Sequence, residues 1–388
     1  MLASIARRAA RPAMSVSRRA MSSESINFTL PVNFKTHECE APSLEVSATK
    51  DELLNYYFDM NVIRRMEITA DNEYKVRTIR GFCHLYDGQE AVAVGTAAAL
   101  DDEDDWITSY RCHGTAYIRG VKVEEVLGEL MGREIGISSG KGGSMHLYNT
   151  KRNFWGGSGI VGAQVPCGTG TAFANKYRHE QGDGEGQMNV ACAFYGDGAA
   201  NQGQIWESAN MAQLWKLPMI FVTENNLYGM GTSVSRHSCT PYYQMGKVIP
   251  GIWVDGMDVL AVKQAFEFAK DHAGSGKGPM FMEVETYRYH GHSMSDPGLT
   301  YRDRSEVQDV RASRDCIKGL EKRILDHSIA TQPELKELEK EARALVNKAN
   351  KVAKASAFPD PKELYTDIYW QETPKFIRGA EIGTSQYS

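Results

Sequence analysis

No apolar run in this 388-residue chain approaches the about 20 residues that a membrane-spanning helix needs, so membrane insertion is not expected. Cysteine is sparse. The seven, Cys39, Cys83, Cys112, Cys167, Cys192, Cys239 and Cys316, are odd in number and have no metal-ligand spacing. That argues against a disulfide framework and for free thiols in a reducing compartment, most of them small core residues. Excess positive charge is also missing, since the net charge is −5, and there is no electrostatic case for nucleic acid. Acid is absent from residues 1–23, which carry Arg7, Arg8, Arg11, Arg18 and Arg19 among alanines and serines. Such a start fits a mitochondrial presequence over residues 1–22, removed near Arg19–Ser22, and a destination in the mitochondrial matrix. A basic arm is the competing reading. No internal duplication is visible.

What is present is an ordinary globular balance, 42% hydrophobic and 24% charged, with ample length for a buried core. Residues 23–49 have no strong periodicity and fit an extended N-terminal arm. From Lys50 the spacing of Leu53, Leu54, Tyr57, Phe58, Val62 and Ile63 predicts a helix. A second helix is expected over Asp87–Leu100, followed by an acidic loop at 101–105. Residues 128–170 hold 12 glycines, interleaved with Met, Trp and Val, which fits a backbone that must approach a ligand or another backbone closely. Further expectations are a helix over 258–272, a strand over 279–287, a polar loop over 289–305 and a charged amphipathic helix over 333–355. That last helix could lie on its own domain or against another subunit.

The centre of the chain carries the chemistry. Asn189–Tyr195 is a short apolar run ended by Gly196-Asp197-Gly198, and Met219–Thr223 is a second, ended by Glu224-Asn225-Asn226. Helical spacing fills 202–216 between them. This predicts a β-α-β unit with polar loops beyond both strands, where open α/β sheets bind ligands. A lone Gly-Asp-Gly is ordinarily a turn. Here two strand ends would bring Asp197 and Asn226 together, one carboxylate and one amide oxygen. Mg²⁺ takes such oxygen ligands and shares its shell with phosphate. Gly196 and Gly198 permit close approach of backbone N–H groups, and the following helix, starting near Ala199–Gln202, presents its amino end. The unit lacks Gly-x-Gly-x-x-Gly after its first strand, which sets it apart from the dinucleotide fingerprint. The combination is a signature of thiamine-diphosphate enzymes.

Other segments narrow the family. Tyr287-Arg-Tyr-His-Gly-His-Ser-Met-Ser-Asp-Pro-Gly298 closely resembles the phosphorylation loop of the alpha subunits of mitochondrial pyruvate dehydrogenase. Similar to that family, in its order, are Gly81-Phe-Cys-His-Leu-Tyr-Asp-Gly-Gln-Glu-Ala91, Ser109-Tyr-Arg-Cys-His-Gly114, Gly140-Lys-Gly-Gly-Ser-Met-His146 and Gly159-Ile-Val-Gly-Ala-Gln-Val-Pro166. The resemblance runs from about residue 50 to the end. Around Thr150–Arg152 the chain carries two apparent extra residues.

The resemblance implies a thiamine-diphosphate-binding α/β fold, a doubly wound, mostly parallel sheet flanked by helices, over 50–360, with a C-terminal tail over 361–388. It implies thiamine-diphosphate-dependent oxidative decarboxylation of pyruvate. The acetyl group would pass to the lipoyl group of dihydrolipoyl acetyltransferase, giving acetyl-CoA and carbon dioxide in the whole complex. Asp197, Asn226 and the carbonyl of Tyr228 would hold Mg²⁺, and Gly198 and Ala199 would meet the diphosphate of thiamine diphosphate. Tyr110, Arg111 and His292 would reach cofactor and substrate. The backbones of Gly159 and Val161 would bond the aminopyrimidine ring, and His84 would line the pyruvate pocket. Out of this context Tyr110 and Arg111 could be a stacked surface pair and His84 a satisfied core histidine. With a single ligand-binding unit, the carboxylate that activates the ring is expected from a beta subunit, in an alpha-two beta-two heterotetramer. Ser293, Ser295 and Thr300 would be targets of a pyruvate dehydrogenase kinase and phosphatase. The competing readings are a branched-chain 2-oxoacid dehydrogenase alpha subunit and a catalytically silent scaffold and kinase target.

Overall fold

A computed structural model describes residues 24–182 and 186–367, so the expected presequence and most of the C-terminal tail lie outside the described residues. The strands are β1 (Ser25–Thr29), β2 (Lys35–His37), β3 (Glu45–Thr49), β4 (Asp105–Ser109), β5 (Phe154–Ser158), β6 (Ala191–Gly196), β7 (Met219–Asn225), β8 (Tyr228–Gly229), β9 (Thr232–Ser233), β10 (Gly251–Asp255) and β11 (Met280–Glu285). Seven of them form the main sheet in the order β2-β10-β11-β7-β6-β4-β5. All neighbours are parallel except β2, which runs antiparallel to β10 at one edge.

The helices are α1 (Lys50–Lys75), α2 (Glu90–Ala99), α3 (His113–Ile118), α4 (Val123–Leu130), α5 (Gln164–Glu180), α6 (Gly203–Leu214), α7 (Val234–His237), α8 (Val259–Gly274), α9 (Arg304–Ser313), α10 (Cys316–Asp326) and α11 (Gln332–Ala355). Alternation along the central strands sorts side chains onto two buried faces. Val190, Cys192 and Phe194 face the core that also holds α2 and α8, while Ala191, Ala193 and Tyr195 face the core with α5 and α6. The strand is thus an unbroken apolar run, as a strand covered on both faces must be. The sheet is doubly wound and mostly parallel, as expected.

Local chemistry starts and stops these elements. Thr49 caps α1: its Oγ1 accepts from the Glu52 N–H at 3.2 Å, and Glu52 Oε2 accepts from the Thr49 N–H at 2.7 Å. Thr331 and Glu334 repeat this capping box at α11. Two expectations shift. The acidic run at 101–105 is a loop only to Asp104, since Asp105 begins β4, and Asp104 is fully buried against Lys270 and the Val190 N–H. The segment at 23–49 is extended, but through β2 it joins the main sheet. The glycine-rich stretch does bring backbone into close approach, in part to the chain's own Glu129. That buried carboxylate accepts N–H bonds from Ser138 (2.8 Å), Gly140 (2.9 Å), Gly142 (2.6 Å) and Gly143 (3.2 Å).

Helix α2 lies directly on α8 through Gly95, where an added Cβ would sit 2.6 Å from Val262 Cβ and 2.7 Å from the Val259 carbonyl oxygen. Gly95→Ala is expected to destabilise the chain by about 1–3 kcal/mol through overpacking, despite a helix-propensity gain of about 1 kcal/mol. Gly319 in α10 has nothing within 4 Å, so Gly319→Ala is expected to stabilise it. Urea midpoints that move in the same direction for both variants would refute this packing.

Candidate cofactor site

Parallel strands end at one edge, and the chain reverses its winding between β4 and β6: from β4 it moves outward to β5, then returns to the other side of β4. Such a switch point opens a crevice beyond the strand ends. A cavity of about 410 Å³ lies there. Its wall includes Tyr110 and Arg111 from the end of β4, Asp197, Gly198 and Ala199 from β6, Asn226 and Tyr228 from β7, and Val161 and His292. Nine of the eleven expected site positions therefore share one cavity. His84 lies just behind, its ring 4.3 Å from that of Tyr110 and 5.3 Å from that of His292. Gly159 stands two residues before Val161, with the His146 ring 3.6 Å from where its Cβ would be.

Two oxygens define the polar end. Asp197 is 2% exposed and Asn226 is 7% exposed, and Asp197 Oδ2 and Asn226 Oδ1 are buried with no hydrogen-bond partner. Each such group costs about 1–3 kcal/mol unless something else satisfies it. Burial pushes the Asp197 carboxyl up to about 6, with the His237 ring, 3.3 Å from Oδ2, pulling the other way. Asn226 has its amide fixed from behind. Its Nδ2 donates to Gln89 Oε1 at 3.1 Å, and Gln89 Nε2 leans on Glu224 Oε1 at 3.4 Å. Tyr86 donates to the same Glu224 oxygen at 2.7 Å, and burial raises Glu224 to about 7. The chain Tyr86–Glu224–Gln89–Asn226 therefore fixes the Asn226 amide through its nitrogen and leaves Oδ1 without a partner.

The turn after β7 is held in place. Leu227 takes φ +72°, a left-handed conformation disfavoured for leucine, and Asn225 Oδ1 accepts its N–H at 3.0 Å. Tyr228 sends its hydroxyl to Glu306 at 3.0 Å and also lines the cavity. Gly198 and Gly229 pack back to back, so that a Cβ on Gly229 would lie 3.3 Å from Gly198 Cα. A carboxylate oxygen and an amide oxygen without partners, beside a glycine-lined 3-10 turn at Ala199–Asn201, suit a hard divalent cation carrying a phosphate. Among the described residues no cluster of three or more His, Cys, Asp or Glu could hold a metal.

Arg111 ties the cavity to the polar loop. It is 4% exposed, so it is no surface pair; its Nη1 donates to the Leu85 carbonyl at 2.5 Å and its Nη2 to the His292 carbonyl at 2.9 Å. His84 is no satisfied core histidine, since its Nδ1 is buried without a partner. Burial, then Arg111, depresses His84 to about 2 and His292 to about 4, so both rings are neutral near pH 7. The loop folds around Asp296, which accepts from the His292 N–H (2.7 Å), the Gly298 N–H (2.8 Å) and the Tyr301 hydroxyl (2.5 Å). Ser293 is buried, with its Oγ 2.9 Å from that of Ser295, while Ser295 and Thr300 are exposed.

Some site residues were not singled out from the sequence. His237, Gln164 and Thr232 line the cavity, and Gln164 Oε1 is another buried oxygen without a partner. Tyr86 and Gln89 lay inside a noted segment, but nothing in it marked them. The Gly-x-Gly-x-x-Gly spacing does occur, at Gly157–Gly162 from the end of β5 toward α5, outside the β6-α6-β7 unit in sequence but on the same cavity through Val161.

Residues 58–362 match the family described as "Dehydrogenase E1 component". The chain belongs to this family. E1 dehydrogenase components depend on thiamine diphosphate, and the doubly wound sheet described above is the thiamine-diphosphate-binding fold. The chain is 53% identical over 358 residues to the probable pyruvate dehydrogenase E1 component subunit alpha, mitochondrial, of Caenorhabditis elegans, covering 90% of this chain and 88% of that one. It is 54% identical over 357 residues to the pyruvate dehydrogenase E1 component subunit alpha-1, mitochondrial, of Oryza sativa subsp. japonica, covering 91% and 90%. The corresponding alpha subunit of Schizosaccharomyces pombe is 52% identical over 350 residues, covering 89% and 83%.

In this E1 chain the loop is also latched by charge. His290 Nδ1 lies 2.7 Å from Asp87 Oδ2. Burial works against protonation of His290, but Asp87, with Asp71 and Glu67 behind it, outweighs burial and raises its pKa. The pair therefore stabilises fully below the ordinary imidazole pKa of about 6.5, and the contribution is lost as pH rises through the raised value. The thermal midpoint of His290→Gln is expected to fall further below wild type at pH 6 than at pH 8.5. An equal deficit at both pH values would contradict the latch.

Proposed function

We propose that this chain is the alpha subunit of a mitochondrial pyruvate dehydrogenase E1 component. It acts with a beta subunit in the thiamine-diphosphate-dependent oxidative decarboxylation of pyruvate. The observation that carries this reading is the pair of unpaired oxygens, Asp197 Oδ2 and Asn226 Oδ1, in a chain more than half identical to named alpha subunits over nine-tenths of its length. The mitochondrial matrix is its compartment, with residues 1–22 as the presequence.

Asp197, Asn226 and the Tyr228 carbonyl would hold Mg²⁺, and the backbone amides of Gly198 and Ala199 would meet the diphosphate. When bound, thiamine diphosphate supplies the carbanion chemistry and the electron sink for loss of carbon dioxide. The chain's own residues bind, orient and exclude water. Arg111 keeps a fixed positive charge at the wall beside Tyr110, where an anionic substrate would gather. Neutral His84 and His292 present ring nitrogens to a 2-oxo acid without adding charge. The backbones of Gly159 and Val161 would bond the aminopyrimidine ring. Asp197 is the one carboxylate on the cavity wall among the described residues, and as a metal ligand it is not free to activate that ring. The activating carboxylate therefore belongs to the beta subunit, in an alpha-two beta-two assembly. The acetyl group would leave on the lipoyl domain of dihydrolipoyl acetyltransferase.

Ser293 is the switch, with Ser295 and Thr300 as further targets of a kinase and phosphatase. A phosphate adds a charge of about −1.5 to −2. On Ser293 it would enter a buried position next to His292, displace Ser295 and break the loop's packing. The assembled enzyme is expected to turn over pyruvate in preference to branched-chain 2-oxo acids, the purified chain alone to show almost no turnover, and Ser293→Glu to inactivate the assembly. Full activity of the lone chain would sink the two-subunit reading. A preference for branched-chain acids would replace pyruvate as substrate, and no thiamine diphosphate binding by the assembly would leave a silent scaffold.

A further inference from the structure

A second cluster of reactive side chains lies behind the substrate end of the cavity. His113 Nδ1 is 2.9 Å and 3.0 Å from the two carboxylate oxygens of Glu67. Its Nε2 is 2.8 Å from Ser144 Oγ. Ser144 Oγ in turn accepts the backbone N–H of His84 at 3.3 Å. Glu67 and His113 are fully buried, and Ser144 and His84 are each 5% exposed. Four chain segments meet here: α1 through Glu67, the start of α3 through His113, the glycine-rich stretch through Ser144, and the irregular segment before α2 through His84.

An acid, a histidine and a serine in series are the parts of a nucleophilic triad. The surroundings argue against that use. The backbone amides that would form an oxyanion hole beside Ser144, those of Gly140, Gly142 and Gly143, are all taken by Glu129. The serine hydroxyl is also fully engaged. Glu67 fixes the His113 proton on Nδ1, so Nε2 accepts from the Ser144 O–H, and a lone pair of Oγ receives the His84 N–H. No group is left over to attack a substrate.

His84 needs such an anchor. Its segment is neither helix nor strand, and its ring Nδ1 has no partner, so no side-chain bond from that atom locates the ring. The ring touches Tyr110 and His292, and its backbone is held by Ser144. We propose that Glu67, His113 and Ser144 form a positioning relay that sets the His84 ring at the substrate end of the cavity. The relay acts through His84 alone and rests on the reading of His84 as a substrate residue.

The test uses the assembly with its beta subunit and three variants, Ser144→Ala, the isosteric Glu67→Gln, and His84→Ala, read by KM for pyruvate, thiamine diphosphate affinity and hydrogen exchange of residues 82–87. Removing one hydrogen bond predicts a rise in pyruvate KM of about 3- to 10-fold in Ser144→Ala and in Glu67→Gln, with cofactor affinity held within about twofold. Exchange at 82–87 should rise in both, and neither should raise KM further in a His84→Ala background. Unchanged exchange in a folded Glu67→Gln assembly overturns the relay, as does a KM effect that adds in full to that of His84→Ala. If exchange rises as expected but His84→Ala leaves pyruvate KM unaltered, the anchor stands and the substrate role of His84 is what fails.

Discussion

The site depends on two oxygens that the protein leaves unpaired. Glu129 gathers four backbone amides, whereas Asp197 Oδ2 and Asn226 Oδ1 accept none, a state they share with other buried atoms such as Gln164 Oε1 and His84 Nδ1. The Asp197 and Asn226 oxygens lie at the ends of adjacent strands on the wall of one cavity, Asp197 Oδ2 3.3 Å from the His237 ring. The Asn226 amide is turned by Gln89, itself set by Glu224 and Tyr86. Two such orphans cost about 1–3 kcal/mol each unless a bound ligand satisfies them. Cofactor binding and stability of this edge of the sheet are thus one problem.

Among the described residues the cavity wall carries Arg111, His237, His292 and one carboxylate, Asp197. Arg111 also joins a distant loop to this wall. Arg111 bonds to Leu85 on one side and to the His292 carbonyl on the other, so the wall of the cavity and the loop share one guanidinium. A change at Ser293 has only one residue to cross.

Much of this was legible in the sequence where the physics is local. Strands β6 and β7 announced themselves because burial on both faces leaves an unbroken apolar run, and Gly196-Asp197-Gly198 marked where one of them ends. Helices α1 and α11 showed their apolar spacing, while their capping boxes appeared only in the structure. Strand β2 did not show, because three residues, Lys-Thr-His, join the sheet through backbone bonds that carry no side-chain pattern. Strand β4 was hidden in an acidic run, whose Asp104 is buried only because Lys270 arrives from α8. Strand β5 is rich in glycine and lies at an edge. The site followed the same rule. The expected site residues fell in motifs that the fold brings to one cavity, while the roles of Gln89, Glu224 and His237 rest on partners distant in sequence that only the fold brings near.

The position of a bound metal would show whether Asp197 and Asn226 share one ion. Mn²⁺ can replace Mg²⁺ in crystals of the two-subunit assembly with thiamine diphosphate, and its anomalous signal locates the ion. The account predicts a single peak in this cavity, within about 2.0–2.4 Å of an Asp197 carboxylate oxygen and of Asn226 Oδ1. A bound diphosphate with the peak elsewhere, or with the Asn226 amide nitrogen facing it, would contradict the account.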